Sequence, residues 1–142
     1  MKCKKGCLDE STMIRMTDGS QKRIGQVTIG DLVFTEGEYY NRVANIWRGQ
    51  NFVIKISTKD EGKILLTENH PIKVNNNWKR AKDIKVGDEL HSTKDVCDRR
   101  VCAVEKISEY VMVYNLDLEC DNDGMYANNF LVGDFKKQQS RF

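Results

Sequence analysis

Apolar and polar positions in this chain alternate with a period of two far more often than they recur at helical spacing. Residues 12–17 (TMIRMT) alternate and run into Asp-Gly-Ser-Gln, a turn. Short runs rich in β-branched and aromatic residues follow at 31–35 (DLVFT), 52–58 (FVIKIST) and 63–67 (KILLT). Residues 71–81 (PIKVNNNWKRA) read as two strands around an Asn turn. Strands at 101–107, 111–119 and 125–132 close the pattern. Only 80–84 (RAKDI) has room for a helical turn. Pro71 is the sole proline, so the turns rely on Gly, Asn and Asp. The elements predict an all-β domain.

The pattern also repeats. Residues 22–35 (KRIGQVTIGDLVFT) align with 79–93 (KRAKDIKVGDELHST), and the run from Arg42 aligns with the run from Arg100. The offset is 57 residues between Lys22 and Lys79 and 58 between Arg42 and Arg100. Two halves of a duplicated β unit are therefore expected, related by a pseudo-twofold axis. In that arrangement TENHP (67–71) and ANNFLVGDF (127–135) are expected near equivalent places, facing each other.

Composition narrows the class. A chain of 142 residues suffices for one core without covalent staples. Charged residues make up 31% yet nearly cancel to +2, which leaves no basic footprint for nucleic acid. No apolar run approaches the roughly 20 residues of a membrane span. The start, MKCKKGCLDE, has no apolar segment after its basic residues and does not read as a secretory signal. Five cysteines, Cys3, Cys7, Cys97, Cys102 and Cys120, are an odd set and read as reduced thiols in a cytosolic setting, whatever the fate of the host protein.

One constellation carries chemistry. Cys7 follows Gly6, which adds no side chain beside the peptide carbonyl, and a thiolate is the strongest nucleophile a chain supplies unaided. Attack on that carbonyl gives a thioester and a free amine, provided the departing nitrogen receives a proton. His70 can deliver one, and the hydroxyl of Thr67, three positions earlier, can hold the amide in place.

The stretch CLDESTMIRMTDGSQKRIGQVTIGDLVF resembles the opening block of the Hint family, which includes inteins, the Hedgehog autoprocessing domain and bacterial intein-like domains. LLTENHPIKV is similar to its Thr-x-x-His block, and VYNLDLECDNDGMYANNFLVGDF to its last two blocks. The resemblance implies a Hint-type horseshoe of two pseudo-twofold-related β subunits. It divides the chain into an upstream flank 1–6, an autoprocessing domain 7–134 and a downstream flank 135–142. It further implies an N–S acyl shift at Cys7 promoted by Thr67 and His70. A cofactor or metal is not called for. The partners are the flanking segments in cis and water, a thiol or an amine as acyl acceptor; a monomer is expected, without nucleic acid or membrane.

The downstream end departs from the family. The usual His-Asn followed by Cys, Ser or Thr is replaced by Gly133, Asp134 and Phe135. Asp134 lacks the amide nitrogen that forms a succinimide, Gly133 lacks an imidazole, and Phe135 has no nucleophile to accept an acyl group. Asn115 stands where an acidic residue is usual, and Asp123 where a histidine is, as a proton carrier or a turn residue. The expected activity is cleavage at the upstream junction with splicing impaired. The alternatives are a domain that cleaves or splices through Asp134, and a silent Hint-fold interaction module. A zinc module built from the other cysteines is the third, although Cys97 and Cys102 lack Cys-x-x-Cys spacing. His91 reads as a surface or edge residue, Trp47 and Trp78 as strand-packing residues.

Overall fold

The computed structural model describes residues 6–37 and 41–135. Cys3, most of the upstream flank and residues 136–142 lie outside the described residues. The chain forms short strands: β1 (Leu8–Asp9), β2 (Met13–Arg15), β3 (Gln21–Arg23), β4 (Leu32–Val33), β5 (Asn41–Asn51), β6 (Ile54–Thr58) and β7 (Lys63–Leu66). The series continues with β8 (Pro71–Val74), β9 (Asn77–Arg80), β10 (Val101–Lys106), β11 (Val111–Leu118), β12 (Met125–Ala127) and β13 (Phe130–Val132). Two single 3-10 turns, Ile24–Gln26 and Ala81–Asp83, interrupt the strands. The second is the turn expected at RAKDI.

Two antiparallel sheets result, ordered β10-β6-β7-β1-β11-β5-β4 and β3-β2-β12-β13-β8-β9. The first is nearly palindromic about the β7/β1 seam, where Leu8 pairs with Leu66, its counterpart at the repeat offset. The second is palindromic about the β12–β13 hairpin. There Ile14 pairs with Ala127 and its counterpart Ile72 pairs with Val132.

The duplication extends to single bonds. Gly30 N–H donates to the Val43 carbonyl and Val43 N–H to the Asp31 carbonyl, each at 2.9 Å. Gly87, Val101 and Asp88 repeat both bonds at 2.8 Å. The carboxylate of Asp31 accepts Thr28 N–H and that of Asp88 accepts Lys85 N–H, both at 2.9 Å. Gly30 and Gly87 take φ of +95° and +96°, a conformation that a side chain disfavours and that fixes the Gly-Asp signature in both halves.

One residue pairing differs from expectation. The counterpart of Thr67–His70 is Asp9–Thr12, not the segment around Asn128. Thr12 N–H donates to the Asp9 carbonyl at 3.0 Å as His70 N–H does to Thr67 at 3.1 Å. The next bonds correspond too: Ile24 N–H donates to the Thr12 carbonyl, and Ala81 N–H to that of His70. The segment 127–132 is instead a hairpin turned by Asn128 and Asn129 at φ of 50° and 72°.

A single apolar core draws Ile56, Ile64 and Leu66 from one sheet and Ile14, Ile72 and Phe130 from the other. Strand alternation sends Leu8 into this core and Cys7 to the opposite face, in a smaller cluster with Val53 and Val113. No helix among the described residues is long and apolar enough to cross a membrane.

Candidate functional site

The site grows from the palindromic seam. Because Leu8 pairs with Leu66, the next antiparallel step sets Cys7 against Thr67. Thr67 N–H donates to the Cys7 carbonyl at 2.9 Å, and Cys7 N–H donates to Thr67 Oγ1 at 2.8 Å. The Thr67 hydroxyl spends its hydrogen on Asn69 Oδ1 at 2.9 Å, which leaves its lone pairs facing the Cys7 amide. On the other side of β1, Leu8 pairs with Tyr114, so the same step brings Cys7 beside Asn115, and Asn115 pairs with Trp47 on β5. Thr67, Cys7, Asn115 and Trp47 thus form one row across four strands.

His70 ends the turn that Thr67 begins. Its Nε2 lies 2.8 Å from the Gly133 carbonyl, and Gly133 N–H donates to the Pro71 carbonyl at 3.0 Å. A carbonyl only accepts, so Nε2 carries the hydrogen and the neutral ring presents Nδ1 as a bare acceptor. Complete burial pushes the His70 pKa down to about 4; the Gly133 and Gly6 carbonyls pull the other way, and the Arg80 charge adds to the depression. The Gly6 backbone thus stands near enough to favour an imidazolium, although no hydrogen bond to Nδ1 closes. Arg80 is placed by β9, opposite Pro71, and its Nη1 donates to the Asn69 carbonyl at 2.9 Å.

Cys7, Thr67, His70, Asn115 and Asp134 are all buried, as are Gly6 and Gly133. The fold therefore brings Gly6, Cys7, Thr67, His70, Asn115 and Gly133 together. Asp134 is adjacent through its backbone, but its carboxylate turns to the end of β11, accepting Leu118 N–H at 3.3 Å and Asn122 Nδ2–H at 3.4 Å. Asp123 faces elsewhere: its N–H donates to the Glu36 carbonyl and its carboxylate lies against Gly37. Phe135 rests on Trp47.

Three participants went unread in the sequence. Asn69 had a signal, since it stands between Thr67 and His70. Arg80 and Asn122 had none before strand pairing was known.

The reading of five reduced thiols is corrected. Cys7 is disulfide-bonded, while Cys97, Cys102 and Cys120 are free and exposed. An odd count is compatible with one pair, which composition alone does not disclose. Among the described residues no group of three or more His, Cys, Asp or Glu side chains is arranged to hold a metal ion. His91 is half-buried against Tyr126, whose hydroxyl lies 3.3 Å from its Nε2.

A family profile described as Vint: Hint-domain matches residues 6–122. The gp41-1 intein is 24% identical, with a TM-score of 0.78 over 91% of this chain and 98% of that one. A bacterial intein-like domain from Clostridium thermocellum is 22% identical, TM-score 0.76, over 90% and 98%. A DnaB intein from Synechocystis sp. PCC 6803 is 16% identical, TM-score 0.77, over 91% and 98%. At these identities the likeness is one of fold. No curated protein matches the sequence.

Proposed function

The chain belongs to the Hint-domain family, whose members process the polypeptide that contains them, and from that premise we propose that it cleaves its own upstream junction at Gly6–Cys7. Once a reductant has opened the disulfide that holds it, the sulfur of Cys7 attacks the Gly6 carbonyl carbon and the bond to the Cys7 nitrogen breaks. The thiol proton travels through His70: Nδ1 takes it, and the imidazolium, acidic with a pKa of about 4, yields it to the departing amine. Thr67 Oγ1 pins the Cys7 N–H throughout. Because attacking atom and carbonyl belong to adjacent residues, proximity supplies much of the acceleration.

The thioester is resolved by water, a thiol or an amine. The incoming atom bonds to the Gly6 carbon, the C–S bond breaks, and the upstream flank 1–6 leaves as acid, thioester or amide. The domain proper is 7–134. At its downstream end Asp134 has only carboxylate oxygens, already accepting hydrogen bonds from Leu118 and Asn122, and Phe135 has no acceptor group. Splicing through a branched ester is thereby impaired.

The observation that carries this reading is the reciprocal bonding of Thr67 and Cys7 beside a buried His70 flanked by Gly6 and Gly133. The test is intact mass of the chain carrying longer upstream and downstream fusions, incubated with dithiothreitol. The expected product is the upstream fusion ending at Gly6, absent from Cys7→Ala. Release from Cys7→Ala at the wild-type rate overturns the reading, and a ligated product of both flanks overturns the splicing block.

A further inference from the structure

The row that contains the site does not stop at Asn115. Its outer member, Trp47, is set by the register of β5 against β11. On the same face of β5 its neighbours two residues away are Asn45 and Gly49, the second of which adds no side chain of its own. The half-buried ring is met instead by Phe135, at a centroid separation of 4.6 Å and an interplanar angle of 36°. That geometry lies in the range aromatic pairs prefer.

The polypeptide reaching Phe135 is held residue by residue. Gly133 is bound from both sides by His70 and Pro71, and Asp134 is bound by Leu118 and Asn122. Phe135 then takes the end of the row that starts at Thr67. Three consecutive residues thus have three different anchors, and the last is selective by chemistry: an indole face favours another π system over an aliphatic or polar side chain.

We propose that Trp47 is a specificity platform for the first residue of the downstream segment, an aromatic seat that fixes how the polypeptide leaves the domain after Asp134. This rests on the reading of Asp134 as the last residue of the domain. It does not require the upstream reaction. The seat accepts Phe, Tyr or Trp at position 135, holds Leu poorly, and does not hold Ala or Ser.

The experiment uses the full chain as a Cys7→Ala variant, so that no autoprocessing intervenes, with Trp78→Phe added to leave Trp47 as the sole indole. Trp47 emission and iodide quenching are measured with Phe135 intact and as Phe135→Tyr, Leu, Ala and Ser, each checked for an unchanged melting profile. The Tyr variant should match the parent, whereas Ala and Ser should shift emission to the red and raise the quenching constant at least twofold. Independently, chymotrypsin should cut after Phe135 about tenfold faster in Trp47→Leu than in the parent, with Trp47→Phe protected like the parent. Emission indifferent to the residue at 135, or a Leu variant equal to Phe, overturns the seat. Failure of the upstream cleavage test leaves these readouts untouched, so the two proposals fail separately.

Discussion

Thr67 makes two bonds to one residue, and only one of them depends on its side chain. The bond from Thr67 N–H to the Cys7 carbonyl needs only a backbone N–H, which every residue but proline supplies, whereas Oγ1 alone receives the Cys7 N–H. Thr67→Val, nearly the same shape, should therefore slow upstream release about a hundredfold, the usual loss for one preorganised polar contact. Thr67→Ser should stay within about threefold of wild type, as followed by gel densitometry of a fusion. Equal rates for Val and Ser would remove the hydroxyl from the mechanism. His70 makes a prediction about stability. Its folded pKa, about 4, lies below the ordinary 6.5, so between those values the unfolded chain binds the proton first. The full stability is present above 6.5 and drains as pH falls towards 4, by about 3 kcal/mol. Urea midpoints at pH 7 and 4.5 should fall less in His70→Gln than in wild type; parallel losses would show that the ring titrates normally.

At the level of strands and turns, the two Asn-Asn hairpins look alike in sequence, and in each the first Asn holds a second segment: Asn75 Oδ1 accepts Glu89 N–H at 2.9 Å and its Nδ2 donates to Asp88 Oδ1 at 3.1 Å. Asn75 and Asn76 take φ of 51° and 66°, closely matching Asn128 and Asn129. Asn128 also ties its hairpin across the fold: Oδ1 accepts Met13 N–H at 2.8 Å and Nδ2 donates to the Lys63 carbonyl at 3.0 Å. Asn76→Gly keeps the backbone conformation and should change stability by less than about 0.5 kcal/mol. Asn128→Gly also keeps the backbone but loses both ties, and should cost about 1–2 kcal/mol in urea denaturation. Similar values for the two would mean that the ties contribute nothing. These hairpins show what the sequence could and could not tell. Strands such as β6 were legible because alternation makes the buried face periodic, and the Asn turns because few residues tolerate positive φ. The two-residue strand β1 was not, since partners far along the chain alone define it. Thr67 and His70 were legible as a spaced pair, while the roles of Asn122 and Trp47 appear only when β11 meets its neighbours.

The whole molecule explains why a duplicated fold has a single candidate centre. Asp9–Thr12 repeats the turn of Thr67–His70 in backbone bonding, yet it carries no imidazole, and the polypeptide that enters through Cys7 passes along Thr67 alone. Symmetry supplied two frames and the entering chain selected one. Cys7 is disulfide-bonded, so its sulfur has no thiolate to offer until two electrons arrive. Cys97, Cys102 and Cys120 are free. Release should therefore need a reductant that acts before any acyl acceptor does. A phosphine separates those roles: with water it becomes the phosphine oxide and delivers two hydrogens to the sulfurs, but it does not consume a thioester as a thiol does. Air-oxidised protein should stay intact, tris(2-carboxyethyl)phosphine should start slow release by hydrolysis, and added dithiothreitol should accelerate it further. Mass spectrometry of the three conditions decides the matter: oxidised wild type releasing its upstream fusion as fast as the phosphine-treated protein would mean that the sulfur was never locked.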